Sequence, residues 1–540
     1  MKRSLLATAI GAAGLLLLPL GCTNLDEVPP SAVSPGNFFR NEGEVLAALA
    51  GVYAQLRGSL DAYYDVSEIS TDEMVVPTRG SDWYDGGQWL DLHRQTWTPT
   101  SAAVLSGCCI NGAWNTAMGA VARANVLLEQ IPNVALLPDS AVIRAEVRTL
   151  RAFYYYQLMD LFGGVPLATT TELKPRPRVS RDSLFRFIES ELLAVRPVLP
   201  AQWDAADNGR VTKGVVDAIL ANMYLNAGVF TKDTAGTGPT NINPTGYNSC
   251  SGITVSGGVS GGLDACQAAA DRADSLILSP YYKLADSFPQ PFRPDNGSSP
   301  ENIFVVKFIA ADGLGLNFVM RSLHYNQYSP PSPWNGFATL ASTYATFDSS
   351  DKRRRVILAG PQFNVLTGAP VNDRTGAPLV FTTTIANVTQ ASEGEGARIY
   401  KWPADPNHVN QNNGNDFAWF RLGEMYLIKA EALNEQTPGS GAALALLNSL
   451  RARAPGEAVD TALAGPITRD MILNERLFEL IGEAKRRQDL IRHGKYAGSP
   501  ATLFCWEFKD PCPNDSKFVL APIPQPQISA NPQLVQNPGY

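Results

Sequence analysis

The chain has 540 residues, 45% of them hydrophobic and 18% charged, with a formal net charge of −7 and a pI near 5.4. That supplies a large core or two intimately packed subdomains. The acidic balance, without a basic stripe, excludes nucleic acid as a partner, because its phosphates are repelled.

The N-terminus reads as an export signal: Lys2 and Arg3 are followed by an uncharged apolar run over 5–20, then Gly21 and Cys22. The run is short of the ~20 residues a spanning helix needs. Residues 1–21 are therefore expected to be removed, with Cys22 lipidated and 22–37 left as an extended leader on the membrane. Losing Lys2 and Arg3 and no acid moves the charge from −7 to −9. With Cys22 acylated, six cysteines remain in an exported chain, and an even count there suggests disulfides. Cys250–Cys266 and Cys505–Cys512 are the simplest local pairs, and Cys108 and Cys109 are adjacent, although sequence leaves the connectivity open. No cysteine pair has zinc-knuckle spacing, and His93, His324, His408 and His493 form no cluster.

The body, 38–540, divides into a mainly helical scaffold (38–230), a loop-rich insertion (231–415) and a helical pair with an extended tail (416–540). Apolar periodicity predicts helices over 44–57, 114–131, 141–162, 184–199, 212–227 and 263–278. Small residues such as Ala124, Ala145, Ala152, Ala218 and Ala221 allow close helix approach and suggest paired, tetratricopeptide-like stacking without a regular repeat. Residues 231–262 read as a Gly/Ser/Thr/Asn loop, and 303–308 as a strand. Helical pattern returns over 416–434, 442–454 and 469–493. The charges from Glu475 to Asp489 read as a solvated or interhelical lattice. The proline-rich tail, 522–540, is expected to pack as extended chain.

Several blocks, in order, resemble the SusD/RagB family of nutrient-binding surface lipoproteins. They are Phe38-Phe39 with 44–53; Leu150-Arg151-Ala152-Phe153-Tyr154-Tyr155 through Gly163-Gly164-Val165-Pro166; Gly209-Arg210-Val211-Thr212; Tyr344 to Arg355, with Phe347, Asp348, Asp351 and Arg353; Phe420 to Leu427; and Asn474-Glu475-Arg476 onward. The resemblance implies a mostly α-helical fold, with tetratricopeptide-like helix pairs supporting a loop-rich ligand-binding half and a few short strands. It also implies an outer-membrane lipoprotein, facing the cell exterior, that acts as lid to a SusC-like TonB-dependent barrel.

Sugar capture needs aromatic faces for C–H surfaces and polar partners for hydroxyls. Two loops carry that mixture: 79–91, with Arg79, Trp83, Tyr84 and Trp89, and 324–335, with Tyr325 and Trp334. Trp83 and Tyr84, set among Asp and Gly, are the better surface candidates; Trp89, Trp97 and Trp334 are as readily core residues. The expected ligand is a glycan or oligosaccharide. A peptide-binding member of the same family is the first alternative, and a surface hydrolase the second. Gly258-Val259-Ser260-Gly261-Gly262 matches the G-x-S-x-G elbow formally but lacks its strand–turn–helix setting. No compact acidic motif marks a glycosidase. The acids in 393–395 and 405–416 lack the periodicity of a calcium loop, so no catalytic residue, metal or cofactor is expected.

Overall fold

The computed structural model describes residues 39–134, 137–232, 246–257, 264–453, 462–498 and 505–540. The expected signal and leader with Cys22, and the Ser260 motif, lie outside them.

Asn41 opens helix α1 (Glu42–Ile69) by accepting the Glu44 N–H at 3.1 Å, with Glu42 and Glu44 in the first turn where the helix dipole favours acids. The helix runs well past the predicted end at Arg57. Its second half buries Asp65, Ser67 and Glu68 among apolar residues, which obscures the hydrophobic period. There follow α2 (Gln88–Arg94), α3 (Ile110–Gln130), α4 (Ser140–Phe162), α5 (Arg181–Val195), α6 (Lys213–Leu225) and α7 (Ala265–Ile277). Ser180, Thr212 and Asp264 cap three of these with side-chain oxygens. After the loop-rich segment come α8 (Leu422–Gln436), α9 (Gly441–Arg451), α10 (Arg469–Leu480) and α11 (Arg486–Arg492).

Helices pack against their sequence neighbours: α1 on α3, α3 on α4, α4 on α5, then α6 on α7, α7 on α8, and α8 on both α9 and α10. Ala124, Ala145, Ala152, Ala218 and Ala221 are all buried, as expected of residues at helix crossings. Among the described residues the strands are short and form three antiparallel pairs: β1 (Asn302–Val306) with β6 (Phe417–Arg421), β2 (Ile357–Leu358) with β5 (Arg398–Ile399), and β3 (Gly360–Pro361) with β4 (Val380–Phe381). The longest ladder sits on α4, where the Phe153 ring meets Trp419 at 4.9 Å and Phe304 at 5.2 Å, both edge-on. The fold is mostly α-helical with a few short strands.

Three expectations need correction. The helix predicted over 416–434 begins as strand β6, because Phe417 to Arg421 are buried on both faces and pair with β1. The helix predicted over 469–493 breaks between α10 and α11, where Gly482 and Ala484 have φ of +75° and +59°. The Gly482 and Ala484 N–H groups there donate to the buried carboxylates of Glu73 and Glu68. The tail contains one helical turn, Gln525–Ala530, which tolerates Pro526 because a first-turn N–H has no intrahelical partner. Elsewhere the tail packs along the body: Ala521 N–H donates to Leu161 O at 2.8 Å, and Trp97 Nε1 donates to Tyr540 Oη at 2.8 Å.

The charges from Glu475 to Asp489 are buried and bridge elements rather than stepping along one helix. Arg421, at the end of β6, binds Glu301 at 2.7 Å, Glu479 at 2.8 Å and Glu483 at 2.7 Å. Glu479 also receives Arg353 at 3.0 Å and Arg453 at 2.6 Å. Burial pushes the Glu479 carboxyl up, but Arg453, Arg421 and Arg353 together hold it well below the usual range. Farther along, Arg492 joins Glu431 and Asp489. The disulfides are Cys108–Cys109, Cys250–Cys266 and Cys505–Cys512.

Candidate functional site

The loop between Arg79 and α2 is shaped by backbone before side chains. Arg79 and Asp82 exchange N–H···O bonds of 3.0 Å, closing a tight turn. Trp83 then takes φ +62° and Asp85 φ +40°, followed by Gly86 and Gly87 at +69° and +87°. Left-handed backbone at a tryptophan is costly and persists only where surroundings over-determine it. The Trp83 indole supplies that constraint: Nε1 donates to Trp334 O at 2.7 Å, and the ring packs on Trp89 at 5.5 Å and Phe337 at 5.4 Å.

The second loop is held equally firmly. Trp334 N–H reaches Met320 O at 2.7 Å, Asn335 N–H reaches Leu323 O at 2.9 Å, and Gly336 N–H reaches Arg321 O at 2.8 Å. Asn335 is itself left-handed, with φ +51°. Gly336 must lack a side chain, since a Cβ there would stand 2.3 Å from Trp83 Cε2. The two indoles, Trp83 and Trp334, lie with ring centroids 6.4 Å apart and tilted by 43°, both half-buried. Tyr84 stands out beside them at 62% exposure.

A polar flank continues this surface. Tyr325 Oη donates to Asp82 Oδ2 at 2.5 Å, and the Arg374 guanidinium lies 4.0 Å over the Tyr325 ring. Partial burial, then the hydrogen bond to Asp82 and its charge, pushes the Tyr325 phenol up to about 12, so it stays a neutral donor. Glu393 accepts from Arg374 Nε and, at 3.0 Å, from the Arg374 backbone N–H, and lies 2.9 Å from His324 Nε2. Burial pulls its carboxyl up, but these partners hold it below the usual range.

Of the six candidates from sequence, Trp83, Trp89 and Trp334 meet in one aromatic cluster. Tyr84 lies next to Trp83 in the same loop, and Tyr325 joins it through Asp82. Two candidates stand behind that surface. Trp89 belongs to α2 rather than to a loop; it is buried, and its Nε1 donates to Asp85 Oδ2 at 2.7 Å. Arg79 is also buried and bonds Asn335 O at 2.9 Å, Glu395 O at 2.7 Å and Ser392 O. Burial draws the Arg79 pKa down to about 10, as expected of a guanidinium bonded only to carbonyls. Arg398, fully buried, repeats the pattern with Glu395 O, Glu393 O and Asn335 Oδ1 at 2.9, 3.1 and 3.0 Å. These two arginines tie the Trp83 loop, the Trp334 loop and the 392–396 turn into one unit.

Sequence reasoning missed Arg374, Glu393, Phe337 and Arg398. Asn372-Asp373-Arg374-Thr375-Gly376 does carry a turn signature, and Asp373 Oδ1 accepts the Thr375 and Ala377 N–H groups at 2.9 and 3.0 Å. Nothing local brings that turn beside Tyr325. The acids of 405–416 have protein partners: Asp405 takes the Asn407 and Gly414 N–H groups, and Asp416 takes Lys307 and the Phe308 N–H.

The arrangement therefore presents aromatic faces beside fixed hydroxyl, carboxylate and guanidinium groups. Comparison with known proteins adds a second line. Residues 335–540 match the model of the SusD family, and residues 25–225 match a family described as starch-binding and associating with the outer membrane. The SusD-like protein P2 of Formosa agariphila is 24% identical, over 97% of this chain and 98% of its own. The starch-binding protein SusD of Bacteroides thetaiotaomicron is 23% identical, with both chains covered in full (100%). Among solved structures, surface glycan-binding protein A of Bacteroides thetaiotaomicron, in complex with laminarihexaose, superposes with a TM-score of 0.67 at 21% identity, covering 92% of this chain and 99% of that one. Two family models spanning both ends, full-length relatives and a shared fold agree: the chain belongs to the SusD/RagB family.

Proposed function

We propose that this protein binds glycans or oligosaccharides at the cell surface and delivers them to a SusC-like TonB-dependent barrel, for which it acts as a lid. The observation that carries the reading is the locked pair of aromatic loops, with left-handed Trp83 and Asn335 and the Trp83–Trp334 hydrogen bond holding two indoles at one surface. Trp83, Tyr84, Trp334 and Tyr325 form the contact surface; Trp89 and Arg79 hold it from behind. Aromatic faces stack on sugar C–H surfaces, while Asp82, Tyr325 and Arg374 pair with hydroxyls. Relatives named for starch and laminarihexaose binding support a saccharide ligand.

In this reading Cys22 carries the lipid and residues 22–37 tether the body to the outer membrane, facing outward. Ligand bridging lid and barrel favours the closed arrangement by its differential affinity, which is all that trapping requires. Binding, not bond cleavage, is the chain's contribution. The experiment is a glycan array run against a peptide library with the intact lipoprotein body. Saturable retention of one glycan class supports the proposal. Peptide retention without glycan retention supports the peptide-binding alternative, and turnover of a glycan would establish a hydrolase.

A further inference from the structure

We infer a second ligand site, an oxyanion pocket formed by the 344–357 segment and suited to a sulfate or carboxylate substituent on a saccharide. A cavity of about 390 Å³ has Tyr344, Asp351, Lys352, Arg354, Arg355 and Ile357 in its lining. Three cations come from four consecutive residues of one 3₁₀ turn, Lys352–Val356, in a chain whose net charge is −7. The fourth residue, Arg353, turns inward to Asp351, Glu475 and Glu479.

Among the described residues, the carboxylates of Asp351 and Asp348 take hydrogen-bond donors other than Arg354 and Arg355. Both Asp351 oxygens are taken by Arg353, at 3.1 Å from Nε and 2.9 Å from its terminal nitrogen. Asp348 Oδ1 accepts the Ser350 N–H and hydroxyl, each at 2.8 Å. These bonds, and more weakly Arg354, hold its carboxyl below the usual range. Arg354 lies 4.1 Å over the Tyr344 ring, which fixes its plane, and its Nε is shielded with no hydrogen-bond partner among the described residues. Arg355 is exposed, and neither arginine forms an ion pair among the described residues. A flat, pre-set guanidinium is the geometry that receives an oxyanion.

The oxyanion chemistry stands on these residues alone; the saccharide source rests on the function proposed above. The cavity has room for a substituent together with part of its sugar ring, whereas an anionic lipid surface is read by a cluster of basic side chains laid flat against it. The pocket shares no residue with the aromatic surface.

The test is calorimetric titration with sodium sulfate against sodium chloride at equal ionic strength, then with glucose 6-sulfate, then with phosphatidylglycerol vesicles. Saturable sulfate binding is expected, weakened about tenfold or more in Arg354→Gln/Arg355→Gln. Asp348→Asn, which removes a negative charge that bears on Arg354, should bind sulfate more tightly, and glucose 6-sulfate should bind more tightly than sulfate. No saturable sulfate binding, or equal binding by the folded double variant, overturns the pocket. Vesicle binding without glucose 6-sulfate binding overturns the saccharide source. Neutral-glycan affinity should be unchanged in the double variant. Its loss in the wild type as well would sink the aromatic surface while leaving the sulfate result standing.

Discussion

Glu68 and Glu73 form a buried acid pair at the end of α1, and their protonation follows from their surroundings. Burial raises the Glu73 carboxyl well above its usual range, with the charge of Glu68 adding to it, and burial raises Glu68 to about 7. Glu73 Oε2 accepts the Gly482 N–H at 2.9 Å, and Glu68 Oε1 accepts the Ala484 N–H. Lys401 and Arg486 on one side and Glu483 on the other also bear on the pair. Because the folded pKa of Glu68 lies above the unfolded value of 4.5, its contribution to stability is full below 4.5 and is lost as pH rises through about 7. At about 1.4 kcal/mol per unit the swing is of order 3 kcal/mol. Glu68→Gln removes the charge and can still accept from Ala484. Its melting temperature relative to wild type should rise between about pH 5 and about pH 8; parallel melting profiles would contradict the assignment.

At the scale of elements, the aromatic surface depends on two loops fitting together rather than on either alone. Gly336→Ala tests this without deleting an aromatic ring. The added Cβ would meet Trp83 Cε2 at 2.3 Å, so the indole must leave its place on the backbone. Glycan affinity should fall about tenfold or more, with a modest loss of stability, in a paired binding and melting experiment. The same pair of loops shows what the sequence could and could not convey. Trp83, Tyr84, Tyr325 and Trp334 were legible as candidates for that surface because aromatic residues among Asp, Gly and Asn stand out locally. That Trp89 and Arg79 face inward was not, because burial is set by Phe337, Asn335 and the 392–396 turn, all distant in sequence. The helices of the scaffold were legible from their period. The break after α10 was not, since it depends on Glu68 and Glu73 accepting loop N–H groups from the other end of the chain.

On the scale of the whole molecule, Arg421 joins the loop-rich part to the C-terminal helices by gathering Glu301, Glu479 and Glu483 around one guanidinium. Arg421→Met would leave buried carboxylates short of their partner. Unfolding free energy should fall by about 3–5 kcal/mol, read as a lower denaturant midpoint with unchanged slope. A shift under about 1 kcal/mol would show that the lattice is not a structural joint. Such a joint suits the proposed lid role, in which the two parts would move together and the ligand would be held on the aromatic face. The most direct test of that account is isothermal titration of a glycan selected on the array into wild type, Trp83→Ala and Trp334→Ala. The account predicts that each variant stays folded and loses affinity about tenfold or more. Undiminished affinity in both would contradict it.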